Sequence, residues 1–272
     1  MMIDAIYTDP SEELAGVAKW LQGIVDNSYA HHAFSEAMSL ASGSAAFYDA
    51  LSAITTRAAN FVDLVQRLGV SSPKMTPLFQ GELTAAANNI LSSMSPSALG
   101  KEWSGGNRET ARRAQTWFEA GSPLIGTFVR LKIFPETRRL ELLEELQAAY
   151  RALIDSIGPQ EWQDIALAHG LGRLILMIQA FPFFGYAAVE QQSIAVGFAT
   201  HSAALRAQSD GKERLKILHT IAVTVAVVIA AVTAVNTADD TMSTAGHFLQ
   251  WAQGGDPYEF GGQQKAITRQ TK

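Results

Sequence analysis

A stretch of 22 residues, from Ile217 to Ala238, contains no Asp, Glu, Lys or Arg and constrains the fold more than any other feature of the chain. An α-helix rises about 1.5 Å per residue, so about 20 residues cross a hydrocarbon layer of about 30 Å. A helix that is apolar on every side is either a membrane span or the central helix of a large bundle. The stretch therefore predicts a helix shielded from water, and it leaves open whether lipid or protein shields it.

Basic residues flank this stretch on one side. Lys212, Arg214 and Lys216 precede it, and the next basic residue is Lys265. In a spanning helix this bias would keep the preceding segment in the cytoplasm. The Ile, Leu and Val residues of the stretch favour its insertion into a bilayer by roughly 3–6 kcal/mol of free energy, and its His, Thr and Asn side chains reduce that gain. The sequence therefore favours membrane contact only slightly over burial of this helix in a protein core.

Alanines recur every four residues in the stretch and form a ridge of small side chains, along which helix backbones can approach closely. We expect the ridge and the hydrophobes beside it to make membrane or packing contacts: Ile217, Ile221, Ala222, Ala226, Val227, Ala230 and Ala234. His219 is the candidate pH-sensitive group, because protonation at about pH 6.5 would add a charge inside the stretch. The alternative is a helix-end histidine that reaches the membrane interface.

The rest of the chain predicts an all-α protein. Charged residues make up 17% of the chain, below the roughly 25% typical of soluble domains, and strand-like alternation is scarce. One helix is marked by apolar residues spaced alternately four and three apart, which is a heptad seam: Phe47, Leu51, Ile54, Ala58, Phe61, Val65 and Leu68. We predict a multi-helix bundle of amphipathic helices around a central or membrane-inserting helix at 217–238.

Capping and breaking signals predict where the helices begin and end. Asp9 and Pro10 predict a helix start, and we expect that helix to fade near 41–44. Gly69 predicts the end of the heptad helix. A later helix, opened by Pro135, is expected to turn a set of apolar side chains inward: Leu140, Leu143, Leu146, Tyr150, Leu153 and Ile157.

Composition predicts the domain organisation. Residues 95–107 are the most loop-like internal segment and predict a hinge. They separate an N-terminal amphipathic part, 1–94, from a C-terminal helical part, 108–253. The C-terminal part carries the apolar segments 165–189 and 217–238. The Gly- and Gln-rich segment 254–272 predicts a flexible tail.

No motif in the chain identifies a reaction. The absence of cysteine excludes disulfides and thiolate chemistry. The histidines lack metal-ligand spacing, and the glycines lack the pattern of a nucleotide-binding loop. We therefore predict no catalytic, cofactor-binding or metal-binding residue, and we do not expect an enzyme. An apolar cavity near Phe181, Phe183, Phe184 and Tyr186 is the feature that would favour a helical enzyme or carrier.

Charge makes nucleic acid an unexpected partner, because the net charge is −5 and no basic stripe is present. Arg108, Arg112 and Arg113 form the clearest basic cluster. They are candidates for contact with an anionic partner such as lipid phosphate. The alternative is a solvated helix face on which Glu109 and Glu119 pair with these arginines.

The order of the elements resembles that of the pore-forming domain of colicin-type toxins. In those domains amphipathic helices surround a hydrophobic hairpin that later enters the membrane. Here amphipathic helices extend to Gly158, and the apolar stretches 165–189 and 217–238 follow, with 190–216 between them. The resemblance implies a membrane-inserting function, and no residue role is carried over from it.

These observations give three hypotheses. The first is a membrane-inserting or membrane-associated protein that forms an oligomeric pore, channel or translocation component, with the lipid bilayer and copies of itself as partners. The second is a soluble structural or assembly protein in which 217–238 is a buried core helix. The third is the enzyme or carrier with an apolar cavity. Residues 1–10 lack the basic and apolar regions of a secretory signal. We therefore expect a cytoplasmic or membrane-associated location, or export by a signal-independent route.

Overall fold

The computed structural model describes residues 7–25, 28–156, 162–207 and 212–232. Within these ranges the protein is all-α, with ten helices packed in a bundle and two short strands. This confirms the predicted fold class. Strand β1 (Tyr7–Thr8) pairs antiparallel with β2 (Leu131–Lys132).

The chain divides into two compact units. Of the described residues, the first unit contains 7–133 and 180–188, and the second contains 134–179 and 189–232. The predicted hinge segment 95–107 lies within the first unit. The predicted domain boundaries stay predictions, and the predicted tail, 254–272, lies outside the described residues.

Six helices build the first unit. They are α1 (Pro10–Gln22), α2 (Ala30–Met38), α3 (Ala45–Ser71), α4 (Pro77–Ser93), α5 (Pro96–Leu99) and α6 (Gly105–Ile125). Helix α1 packs chiefly on α6, and α4 packs on both α3 and α6. Helix α6 approaches α4 closely enough to exclude a side chain at Gly121, where a Cβ atom would lie 2.9 Å from the side chain of Leu83.

Helix α3 carries the predicted heptad seam, and every seam residue from Phe47 to Leu68 is buried. The ring of Phe61 lies 5.4 Å from that of Phe118 on α6, in an edge-on arrangement. The seam therefore packs inside the unit, as expected for a bundle helix. The predicted stop at Gly69 was wrong, because the helix continues to Ser71 and the N–H of Ser72 still bonds to the Leu68 carbonyl at 2.8 Å.

Helix α1 begins where the capping signal predicts. The carboxylate of Asp9 accepts hydrogen bonds from the backbone N–H groups of Ser11 at 2.7 Å and Glu12 at 3.2 Å, which satisfies donors that have no partner within the helix. The predicted length was wrong. Helix α1 ends at Gln22, where the N–H of Gly23 makes its shorter bond to the Trp20 carbonyl at 3.0 Å and tightens the last turn, and α2 starts separately at Ala30.

Four helices lie wholly or mainly in the second unit. They are α7 (Glu136–Ser156), α8 (Trp162–Gln179), α9 (Phe181–Ala207) and α10 (Lys212–Val232). Helices α8 and α10 both pack on α7. Helix α9 contains a kink at Gly185, whose φ is 71° and ψ is 178°, and its residues before 189 belong to the first unit.

The buried face of α7 differs from the predicted face at its N-terminal end. Leu142, Leu146, Ala149 and Leu153 are buried, whereas Leu140 is 47% exposed. The buried positions follow the four–three–four spacing of one helical face. Leu140 lies off that face, so the prediction that it points inward was wrong. The last residue of the predicted face, Ile157, lies outside the described residues.

Candidate functional site

Helix α10, which contains the described part of the uncharged stretch, has one buried face and one exposed face. The buried face includes Leu218, Ile221, Val225, Val228, Ile229 and Val232. On the opposite face Val223 is 39% exposed, and Thr220 and Ala230 are also exposed. No Asp, Glu, Lys or Arg occurs on either face after Lys216. The exposed face is therefore uncharged after Lys216, with the polar side chains of His219 and Thr220 near its start and Val223 and Ala230 farther along.

The predicted contact residues divide between these two faces. Ile221, Ala222 and Ala226 are buried, Ile217 and Val227 are half-buried, and Ala230 is exposed. The last residue of the predicted ridge, Ala234, lies outside the described residues. A helix turns once in 3.6 residues, so each four-residue step drifts by about 40° around its axis. That drift carries the ridge out of the core between Ala226 and Ala230.

Within the described residues one helical segment, Arg214–Val232, is long and apolar enough to cross a membrane, and half of it is buried. The core helix of a soluble protein meets the same criterion of length and composition. The partial burial is therefore the informative property of this segment.

An ion pair holds the start of α10 against α8. Nη2 of Arg214 lies 2.5 Å from Oδ2 of Asp164, and these side chains are 18% and 2% exposed. Asp164 lies in the first turn of α8, where the helix dipole favours a negative charge. This contact pairs one of the basic residues that precede the uncharged stretch, whereas Lys216 is exposed.

Two histidines of the second unit differ in their surroundings. His219, the candidate pH-sensitive group, is exposed on α10, so a charge on it would be solvated. His201 on α9 is half-buried, and burial lowers its pKa below the usual 6.5. A lowered pKa keeps this imidazole neutral at pH 7.

The basic cluster on α6 does not act as a single patch. Arg112 donates hydrogen bonds to Glu109 at 2.9 Å and 2.7 Å on the exposed side of the helix. Arg113 points toward α4, where its Nη2 lies 3.7 Å from a carboxylate oxygen of Glu82. Arg108 is half-buried. Of these three arginines, Arg113 lines a cavity.

That cavity is a groove of about 530 Å³ between α4 and α6. The small, buried side chains of Ala86 and Ala114 are part of its lining. Leu78 and Trp117 flank one end, and Arg113 lies midway along it. Its volume falls within the range of about 300–1,000 Å³ that is typical of small-molecule sites.

A second cavity of about 430 Å³ lies near the start of α2, between α3 and the segment around α5. Its lining combines apolar Leu51 and Met94 with the polar groups of His31 and Tyr48. Nδ1 of His31 lies 3.1 Å from the Leu99 carbonyl. A carbonyl accepts only from a protonated nitrogen, so this contact places a proton on Nδ1.

A buried polar cluster in the first unit joins α1 and α3 to the start of α9. Glu13 and Arg57 form an ion pair of 3.6 Å with side chains 13% and 8% exposed. Arg57 donates to the carbonyls of Pro182 at 3.1 Å and Phe183 at 2.6 Å. The N–H of Tyr186 donates to Glu13 at 3.2 Å. Since these groups bind backbone atoms, the cluster clamps the chain at 182–186.

Burial dominates the electrostatics of this cluster. It raises the pKa of Glu13 above the usual 4.5, and the charge of Arg57 partly opposes that rise. Burial likewise lowers the pKa of Arg57, and the charge of Glu13 opposes that change. An arginine remains protonated at neutral pH in proteins. Arg57 therefore keeps its positive charge at the kink of α9.

The aromatic segment proposed for an apolar cavity is packed. The ring of Phe183 lies 5.0 Å from Trp20, and that of Phe181 lies 4.9 Å from Tyr186. Phe184 is buried, and none of these residues lines either cavity described above. Within the described residues no group of three or more His, Asp or Glu side chains is placed to hold a metal ion.

Comparison of the chain with models of protein families, with curated proteins and with solved structures gave no match.

Two features of the structure were not predicted, although a pattern in the sequence indicates each of them. Arg57 comes three residues after Ile54 and four before Phe61, so it lies on the seam face of α3 and had to be buried or paired. Gly81, Ala85 and Asn89 are four residues apart along α4, and that spacing of short side chains predicts a groove. The helix opposite such a groove is not specified by the spacing.

Proposed function

We propose that this protein acts on lipid bilayers and that α10 is the element that enters them. The observation that carries the proposal is the mismatch between the composition of α10 and its burial. The helix carries no charged side chain after Lys216, yet Val223 is 39% exposed and only half of the segment is buried. Lipid would cover the apolar side chains that the protein leaves exposed on this helix.

The dimensions of α10 support this assignment. The segment Arg214–Val232 has 19 residues and is about 28 Å long at about 1.5 Å per residue, which is close to the hydrocarbon thickness of about 30 Å. The buried side chains of α10 would exchange one apolar environment for another on insertion, so they contribute little net free energy. The net gain comes from the exposed face, where full burial of a valine contributes about 1.5–3 kcal/mol.

This gain is small, so surface attraction matters. Lys216 is exposed at the start of the apolar segment, and a basic residue near an anionic membrane contributes about 1 kcal/mol. Insertion must also separate Arg214 from Asp164. We therefore expect the protein to bind best to membranes rich in anionic lipid. Inserted helices would associate through the small side chains of Ala222 and Ala226, which gives a route to an oligomeric pore.

The test is flotation of the full-length protein with vesicles of phosphatidylcholine alone and of phosphatidylcholine mixed with phosphatidylglycerol, together with release of an encapsulated dye. We expect flotation and dye release with the anionic vesicles. If the protein does neither between pH 5 and pH 8, the membrane proposal is wrong.

The second candidate function is a soluble structural or assembly protein, and the packing of α10 on α7 favours it. Large apolar side chains such as Leu218, Ile221 and Val225 are fully buried there. In this case α10 is a permanent core helix. Failure to bind vesicles, combined with a single concentration-dependent oligomer in solution, would support this candidate.

A further inference from the structure

The groove between α4 and α6 has an apolar end and a polar remainder. The two helices run antiparallel along it, because Phe79 faces Trp117 with ring centroids 6.1 Å apart and Glu82 faces Arg113. Leu78, which is 75% exposed, lies at the end beside Trp117. Asn89 lies at the opposite end. From Leu78 to Asn89 the groove extends for about 16 Å at the helical rise.

Two side chains of the groove, Arg113 and Trp117, are hydrogen-bond donors only, and one, Glu82, can only accept when it is ionised. Arginine and tryptophan side chains can donate but not accept. Within the described part of the chain, the guanidinium of Arg113 makes no hydrogen bond, and its nearest charged neighbour is the Glu82 carboxylate at 3.7 Å. The side chain of Arg113 is 70% exposed, so it is available to a ligand. A ligand that binds Arg113 must therefore present an acceptor, and an anionic acceptor pairs best with the charge of this guanidinium.

We propose that this groove binds a small amphiphilic carboxylate, with its carboxylate on Arg113 and its apolar body along Leu78 and Trp117. Arginine suits a carboxylate, since its planar fork donates two parallel hydrogen bonds. Leu78 and the indole of Trp117 offer apolar surface beside that charge. The site is separate from α10 and goes beyond the proposed membrane function.

The size of the groove favours a small molecule over a partner helix. A helix docked along about 16 Å would make contacts over roughly three turns, and such grooves usually present several apolar anchor pockets. Here the middle of the groove carries Glu82 and Arg113, and Leu78 and Trp117 are at one end. A small molecule with one charged head and one apolar body therefore matches this arrangement better than a partner helix with a row of apolar side chains.

Glu82 competes with a bound anion for the guanidinium of Arg113. Its side chain is 27% exposed and it is the acid nearest Arg113. A bound carboxylate must share the guanidinium with Glu82 and would be repelled by it. The variant Glu82→Gln should therefore bind the anion more tightly than the wild-type protein.

The experiment titrates full-length protein with decanoate, kept below its micellar concentration, by isothermal calorimetry. Arg113→Gln and Gly81→Leu are the test variants. A Cβ atom at Gly81 meets no atom within 4 Å, so a leucine there fills the groove without a backbone clash. Arg112→Gln and Gly16→Leu are the matched controls. Arg112 pairs with Glu109 outside the groove, and Gly16 is an equally open helical glycine on α1.

We expect decanoate to bind the wild-type protein and both controls alike, at least tenfold more weakly to each test variant, and more tightly to Glu82→Gln. Decyl maltoside, which has the same chain and no charge, should not distinguish Arg113→Gln from Arg112→Gln. The proposal is overturned if the wild-type protein binds no decanoate, or if test and control variants bind it equally. It is also overturned if binding is lost only in Val223→Asp, because decanoate then adsorbs on α10. These outcomes do not depend on vesicle binding.

Discussion

Glu13 and Arg57, on helices α1 and α3, lie 3.6 Å apart and both bond to the backbone of the same short segment. Arg57 binds the carbonyls of Pro182 and Phe183, and Glu13 accepts from the N–H of Tyr186. Between them Gly185 adopts a φ of 71°. The pair thus satisfies backbone groups that a kink in α9 leaves without helical partners.

Breaking this cluster should be costly, and the two halves should differ. Arg57→Leu leaves a buried carboxylate and two carbonyls without their partner, so we expect a loss of about 3–5 kcal/mol in the free energy of unfolding. Glu13→Gln keeps an acceptor for Tyr186 and should cost about 1–3 kcal/mol. Urea unfolding followed by circular dichroism measures both. Equal losses of unfolding free energy in the two variants would contradict the role assigned to Arg57 in holding the segment 182–186.

Gly185 should not accept a side chain. Its φ of 71° is strained for any L residue, and a Cβ atom would lie 2.7 Å from Cδ of Arg57. Strain in this region of φ/ψ costs about 1–3 kcal/mol before the clash is counted. Gly185→Ala should therefore lower the melting temperature strongly. Gly16→Ala is the control, and it should stabilise the protein by up to about 1 kcal/mol, because alanine is the better helix former.

Asp9 should make stability depend on pH. Burial raises its pKa above the usual 3.8, so the folded state holds this proton more tightly than the unfolded state. The stabilisation from the proton is complete below the unfolded pKa and is lost as the pH rises through the folded pKa. Asp9→Asn keeps the helix cap and removes the titration.

Melting temperatures at several pH values from 3 to 7 check this prediction. The wild-type protein should lose stability relative to Asp9→Asn as the pH rises through that range. Glu13 titrates in both proteins, and the charge of Asp9 raises the pKa of Glu13 in the wild-type protein alone, which changes the difference in the same direction. A difference that grows in favour of the wild-type protein with rising pH would show that burial does not control the pKa of Asp9.

Two neighbouring alanines of the ridge should respond differently to enlargement. Ala226 is 4% exposed, so Ala226→Leu overpacks the core at a cost of about 1–3 kcal/mol. Ala230 is exposed, so Ala230→Leu should leave thermal melting unchanged in buffer. If Ala226→Leu also melts as the wild-type protein does, the buried face of α10 is assigned incorrectly.

Two valines on α10 separate membrane action from core packing. Val225 is fully buried, so Val225→Asp places an unpaired charge in the core and should unfold the second unit. Val223 is 39% exposed, so Val223→Asp should melt in buffer as the wild-type protein does. In a bilayer the same carboxylate costs about 2.5–3.5 kcal/mol on insertion scales, and dye release from anionic vesicles should fall sharply. Unchanged dye release from a folded Val223→Asp variant would argue against insertion of α10.

The sequence by itself determined the helical class and the buried face of α3. The seam from Phe47 to Leu68 determines the buried face of α3, since its apolar side chains share one side of the helix and that side must be removed from water. The capping signal at Asp9 was equally local, because it depends on residues within a single turn. Such features are encoded in the spacing of neighbours along the chain.

Only the tertiary structure decided which side of α10 is covered. A helix apolar on all sides has no periodic signal, so Ala226 and Ala230 look equivalent until neighbouring helices bury one of them. The same holds for Glu13 and Arg57 and for the groove beside Arg113. Each joins residues that are distant in the chain, and their pairing depends on how whole helices pack. The sequence supplied their charge and size, and packing determined their partners.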